Sequence, residues 1–199
     1  MALKGVWVVV ATASLLVAVG CATRDGAPGR WGASAAYGGT PHAIPGLIEA
    51  EHFDEGGPGT AYHDVDEANH GAAYRGVTNV DIEERSDASH GHGIGWTRAG
   101  EWLVYTVDVQ RAGTYQVEIP VASRGEGGAF HLEIAGGDVS GPIHVPDTGA
   151  WTNQRLLRVP NVRLPTGVHA VRMVMDAEGP SGSIGDIDYL KFELQPEER

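Results

Sequence analysis

Hydrophobic and polar positions alternate with a period of two along most of the chain beyond residue 45. The clearest run lies within 93–108, GIGWTRAGEWLVYTVD, and continues to Val109. There Leu103, Tyr105, Val107 and Val109 fall on one side, against Trp102, Val104, Thr106 and Asp108 on the other. A two-residue period places successive side chains on opposite faces of a strand, whereas a helix would repeat every three to four residues. Tyr115, Val117, Ile119 and Val121 alternate with polar Gln116 and Glu118, and Phe130, Leu132 and Ile134 repeat the pattern. Strands are expected over 47–51, 80–83, 101–109, 114–122, 129–135, 155–159, 168–175 and 186–194. Clusters of Gly, Pro, Asn and Asp separate them, and no segment carries a helical period of useful length. Many short strands at regular spacing predict an all-β, two-sheet sandwich of jelly-roll type.

The first 44 residues read differently. Residues 1–20 have one early lysine, Lys4, then an apolar run over 6–19 and small residues before Cys21. That is the form of an export signal, and the run is short of the about twenty residues a spanning helix needs. Cys21 is the sole cysteine, so it has no disulfide partner within the chain. Ala18-Val19-Gly20-Cys21 resembles a bacterial lipobox, with Ala18 where Leu is more usual. This resemblance implies cleavage before Cys21, acylation of its sulfur, and a lipid anchor to a bacterial membrane or cell surface; simple secretion is the alternative. Residues 21–44 are rich in Gly, Ala, Pro and Ser and read as a flexible tether carrying the lipidated Cys21, with Trp31 and Tyr37 loose in it. The folded domain is then expected over 45–199.

Charge excludes one class of partner. The formal net charge is −12, and one unit more negative once Lys4 is removed, which leaves Lys191 as the only lysine. Nucleic-acid binding needs clustered cations; the nearest approach to a cluster, Arg155, Arg158 and Arg163, reads as a solvated strand edge.

Six short motifs stand in order along the domain: Leu47-Ile48-Glu49-Ala50-Glu51; Ala73-Tyr74-Arg75; Val80-Asp81-Ile82; GIGWTRAGEWLVYTVDV; Asp147-Thr148-Gly149-Ala150-Trp151; and Asp186-Ile187-Asp188-Tyr189-Leu190-Lys191-Phe192. In that order and over that length the chain resembles carbohydrate-binding module family 6, across about residues 45–194. The resemblance implies a galactose-binding-like β-sandwich that binds a polysaccharide or oligosaccharide without catalysis.

Glu49 and Glu51 are two apart on one strand, so their carboxylates point the same way, roughly 6.6 Å apart. Like charges so placed repel, and a divalent cation with hard oxygen ligands is the usual remedy. The family resemblance implies a structural Ca²⁺ held by Glu49, Glu51 and Asp188, with the Arg75 carbonyl as a further ligand. The rival use of two carboxylates is glycoside hydrolysis, at separations of about 5–9.5 Å. Nothing in the sequence brings Glu49 and Glu51 to a sugar-binding aromatic, so no enzymatic activity is expected. Among the nine histidines, His90-Gly91-His92 could supply a metal-ligand pair, but no third ligand stands at a recognisable spacing, and they read as loop residues.

A pyranose offers apolar C–H faces and a polar rim, which an aromatic plate and a few hydrogen bonds can grip. Trp96 and Trp151 lie beside glycine in turn-like sequence, and the resemblance implies that they sandwich the sugar. Trp102 lies within a strand and is expected in sheet packing, or at a second site on the concave face. The resemblance places Asp186 where the family usually carries Asn. Asn both donates and accepts hydrogen bonds; a carboxylate only accepts. Arg98 is a candidate at the rim. The expected function is therefore non-catalytic carbohydrate binding by a lipid-anchored envelope protein, beside which separate glycoside hydrolases would act. A structural or adhesive envelope protein without sugar binding is the second reading, and a small glycoside hydrolase the third.

Overall fold

The computed structural model describes residues 34–196. The expected leader, the acylated Cys21 and Trp31 lie outside the described residues. Fourteen strands follow a single 3-10 turn at Tyr37–Gly39: β1 His42–Ile44, β2 Gly46–Glu49, β3 Tyr62–His63, β4 Ile82–Glu84, β5 His92–Ile94, β6 Trp102–Val109, β7 Gly113–Ala122, β8 Ala129–Ile134, β9 Gly137–Asp138, β10 Ile143–His144, β11 Arg155–Leu164, β12 Gly167–Ala177, β13 Asp186–Ile187 and β14 Tyr189–Leu194. All eight expected strands are present. The last is broken at Asp188, which separates β13 from β14 along one edge of β7.

One sheet runs β1-β6-β12-β8-β10, with β3 beside β6 and β9 beside β8. The other runs β2-β14-β7-β13-β5-β4, with β11 on the far edge of β7. Crossovers between sheets in this all-β order make a jelly-roll sandwich. The alternation read from sequence sets the core: Leu103, Tyr105, Val107 and Val109 from β6 meet Tyr115, Val117, Ile119 and Val121 from β7. Each such side chain taken wholly from water stabilises the fold by about 1.5–3 kcal/mol. The two central tyrosines keep their hydroxyls satisfied, Tyr105 donating to the Ala50 carbonyl at 2.9 Å and Tyr115 to the Arg111 carbonyl at 2.6 Å. Arg155, Arg158 and Arg163 lie exposed on edge strand β11, as the sequence implied.

The sandwich begins earlier than the expected boundary at residue 45. Ala35 bridges Glu55 in both directions, β1 pairs in parallel with β6, and Ile44 is fully buried. Tyr37, expected to be loose, stacks on His52 with ring centroids 4.2 Å apart. Composition marked 34–44 as unable to form a core of its own; three residues of strand against an existing sheet need no core of their own.

Candidate functional site

At one end of the sandwich, the loop leaving β5, the start of β13 and the turns around 66–70, 147–151 and 181–183 surround a cleft of about 420 Å³. Trp96, Arg98, His70 and Gly182 reach it from the exposed side, while Asp186 and Ser183 are buried at its base. Trp151, Glu83, Asp66 and Ser181 complete the lining. All four residues singled out from sequence for a sugar site, Trp96, Arg98, Trp151 and Asp186, therefore meet in one cavity.

Trp96 stands in the left-handed backbone region, with φ of 48°, and is 45 % exposed. A bulky residue is rare there, because its Cβ crowds the neighbouring carbonyl. The next residue holds it in place. Buried Thr97 donates its hydroxyl to the Gly185 carbonyl at 2.7 Å and accepts from the Gly185 amide at 3.0 Å. Its carbonyl accepts from Ile184 N and Ser183 Oγ, both at 2.9 Å. The chain beside the indole is thus locked onto the segment that leads into β13. Backbone strain fixed by its surroundings is a mark of a functional position.

The Trp151 loop is equally fixed. Asp147 Oδ1 accepts from the Gly125 and Gly149 amides, which draws its carboxyl below the ordinary aspartate value. The Thr148 hydroxyl accepts from the Ser123 amide at 2.9 Å, and Gly149 supplies a positive φ of 88° that the turn requires.

Arg85 joins the two halves of the cleft, and nothing in the sequence singled it out. It is 6 % exposed; Nη1 donates to Asp186 Oδ2 at 2.6 Å and Nη2 to the Trp151 carbonyl at 2.5 Å. Glu83 and Asp87 also pair with it, at 3.3 and 2.8 Å. Burial raises the Asp186 carboxyl to about 7, with Glu83 adding to the rise and Arg85 opposing it. The guanidinium remains charged, because its bonds to Asp87 and Asp186 outweigh the effect of its own burial. Asp186 Oδ1 lies beside Gly95, where a Cβ would come within 3.3 Å, so the missing side chain leaves that oxygen uncovered. His70 is a second lining residue that sequence reasoning passed over; its ring centroid is 6.3 Å from that of Trp96.

The four residues expected around a metal lie outside this cleft. β2 pairs with β14 so that Glu49 faces Tyr189, next to Asp188. The turn between β4 and β5 dips to the same place, where the Ser89 hydroxyl lies 2.5 Å from Glu49 Oε2 and 3.1 Å from Asp188 Oδ1. One hydroxyl proton cannot fully serve two carboxylates. Glu51 is fully buried and neither of its oxygens has a hydrogen-bond partner. Burial pushes its carboxyl up to about 7; the Glu49 and Asp188 charges add to the rise, and its own amide and His90 only partly offset it. An uncompensated buried carboxylate flanked by two more is costly, and a divalent cation fits this donor set. The Arg75 side chain turns to other work: its guanidinium donates to the carbonyls of Glu51 at 2.9 Å and Phe53 at 2.7 Å, and lies 4.2 Å over the Phe53 ring.

Trp102 stays on β6, in the sheet opposite β7, with the Arg172 guanidinium 4.8 Å over its ring. His90 and His92 do not line the cleft. Glu49 and Glu51 do not either, so they cannot flank a sugar held between the tryptophans.

A β-sandwich with a loop-end cleft lined by two rigidly held tryptophans has the form of a sugar-binding module. The family model described as "Carbohydrate binding module (family 6)" matches residues 67–194, and the chain belongs to that family, whose modules bind carbohydrate without catalysis. Similar solved structures include a β-1,3-glucan-binding module of this family from Bacillus halodurans, 23 % identical with a TM-score of 0.58, covering 77 % of this chain and 99 % of that one. Another is the module of Cellvibrio mixtus lichenase 5A in complex with cellotriose, 24 % identical with a TM-score of 0.55, covering 75 % of this chain and 97 % of that one. Over 81 residues the chain is 35 % identical to the clotting factor G alpha subunit of Tachypleus tridentatus, a match spanning 40 % of this chain and 12 % of that subunit.

Proposed function

We propose that Trp96 and Trp151 grip a pyranose of a β-linked glucan or xylan, with Asp186 and Arg98 reading its hydroxyls. The observation that carries this is the meeting of both loop tryptophans and Asp186 in one cleft. Indole area held in advance by the surrounding loops binds with little loss of entropy. Asp186 Oδ1 accepts from a sugar hydroxyl while Oδ2 stays on Arg85, so the Asp–Arg pair takes the place of the family's amide. Screening the protein against β-1,3-glucan, cello- and xylo-oligosaccharides tests the reading. A blank panel at millimolar sugar would instead favour an adhesive or structural envelope role.

Ca²⁺ is the cation proposed at Glu49, Glu51 and Asp188, with the Arg75 carbonyl as a further oxygen. When bound it supplies the charge that the three carboxylates lack, and the residues tie β2 to the β13–β14 break. Saturation at about 100 times the dissociation constant stabilises by roughly 2.7 kcal/mol. For a domain of this size that is a fall in melting temperature on the order of 5–10 °C on adding a chelator, recovered with excess Ca²⁺. Superimposable melts with and without chelator would remove the metal.

The same proposal places the protein at the surface of a bacterial membrane through acylated Cys21, where it holds polysaccharide for separate hydrolases. Cys21→Ser is expected to move the protein from the membrane fraction to the soluble one. Retention of that variant in membranes would overturn the anchor.

A further inference from the structure

The buried Glu51 carboxylate has a second set of neighbours that calcium coordination does not use. His52 follows it in the chain, and His90 comes from the turn between β4 and β5. One donor atom from each of Glu51, His52 and His90 lies within 4.8 Å of the others. His90 Nδ1 is 3.6 Å from Glu51 Oε1, close to the about 3.4 Å that separates ligands on a tetrahedral cation with bonds near 2.1 Å. The two imidazoles meet edge to face, ring centroids 5.2 Å apart.

The surroundings hold one ring and leave the other adjustable. His52 is stacked on Tyr37, and its Nε2 shares a hydrogen bond with the Tyr74 hydroxyl at 3.0 Å. A partner of that kind orients a ligating imidazole and fixes its tautomer. His90 has a half-exposed side chain on a surface turn, so it can close the remaining ångström. Two residues on, His92 has a buried Nδ1 without a hydrogen-bond partner. Tyr74 contacts both: its ring is 4.1 Å from that of His92, centroid to centroid. Glu51, fully buried with both oxygens unpartnered, is the group that requires a cation.

We propose that Glu51, His52 and His90 form a site for a borderline divalent cation of the Zn²⁺ class, with water or His92 as the fourth ligand. Hard, oxygen-seeking Ca²⁺ has no use for imidazole nitrogen, whereas Zn²⁺, Co²⁺ and Cu²⁺ favour it. Glu51 can serve both sites: Oε1 lies toward His90, leaving Oε2 for the calcium group.

The test titrates Zn²⁺ calorimetrically into the untagged protein in excess Ca²⁺, and records the visible spectrum with Co²⁺ in place of Zn²⁺. Expected results are a single Zn²⁺ per chain and the intense d–d bands of four-coordinate Co²⁺. His90→Ala should weaken Zn²⁺ by about 100-fold or more while the rise in melting temperature with Ca²⁺ is unchanged. His52→Ala should do the same; because His52 is packed between two tyrosines, the exposed His90→Ala and His90→Gln variants decide the matter if it fails to fold. Glu49→Gln should do the reverse, weakening Ca²⁺ and sparing Zn²⁺. Loss of the Ca²⁺ effect with Zn²⁺ binding intact would sink the calcium reading alone. Zn²⁺ uptake that is absent in the parent, or equal in parent and His90→Ala, would overturn the site proposed here.

Discussion

Arg85→Ala is expected to destabilise the protein by about 3–5 kcal/mol, the usual cost of removing one partner of a buried ion pair. For a domain of this size that lowers the melting temperature on the order of 10 °C or more. The loss has three sources, all in one side chain. Asp186, 6 % exposed, would lose its counterion and could ionise only at a cost; the Trp151 carbonyl would lose its donor; and Glu83 and Asp87 would be left without the guanidinium that pairs with both. Packing alone does not account for it, and a second variant separates the two. Arg85→Met with Asp186→Leu removes the Arg85–Asp186 pair together and should recover the share of the loss that the stranded Asp186 carboxyl causes, since an apolar pair of similar volume often replaces a buried ion pair without loss. The share from Glu83, Asp87 and the Trp151 carbonyl remains.

The pH dependence has a definite sign. Burial already holds the Asp186 carboxyl near 7, above the unfolded value of 3.8, with Arg85 pulling it down. Without Arg85 it rises further. A group raised on folding favours the native state fully below its unfolded value, and that advantage is lost as pH climbs through the folded one. Arg85→Ala should therefore be milder at pH 5 than at pH 8 when unfolding is followed in denaturant. Equal losses at both would mean that Asp186 is not the group left stranded.

The second large effect is on binding, and it parts company with stability. Trp96→Ala and Trp151→Ala should each weaken glycan binding by about 2 kcal/mol or more, near 30-fold. Trp96→Gly should bind as poorly as Trp96→Ala yet unfold no more easily than the parent. Glycine adopts a φ of 48° without the strain, on the order of 1 kcal/mol, that any residue with a Cβ carries there. The indole is 45 % exposed, so its removal uncovers little core. A glycine variant that is clearly less stable than the parent would show that the indole serves packing.

Alternation made the sheets readable. Leu103 to Val109 and Tyr115 to Val121 face the core in the structure as they do in the pattern, because each strand has one face buried. β1 was not legible: three residues are too few to show a period, and the parallel pairing with β6 is set by a strand 60-odd positions away. The break at Asp188 coincides with a slip in the alternation, from Ile187 on one phase to Leu190, Phe192 and Leu194 on the other, which a single strand over 186–194 overlooks. The two tryptophans could be picked out because loop aromatics beside glycine have no evident packing role, and Asp186 because the family resemblance places it where Asn is usual. Arg85 could not. It sits in Glu83-Glu84-Arg85-Ser86-Asp87, which reads as solvated charge, and its main partner is 101 residues further on. His90 likewise has its neighbours, Glu51 and His52, only in space; a motif spacing cannot show a ligand set assembled from a strand exit and a distant turn.

The cleft itself is best tested by titrating the protein with the oligosaccharide it retains most strongly, following tryptophan fluorescence in the parent, Trp96→Ala and Trp151→Ala. Saturable quenching or enhancement in the parent, weakened near 30-fold in each single variant and absent in the double variant, is the expected result. Undiminished affinity in the double variant would contradict it, and would move sugar recognition away from the loop end of the sandwich.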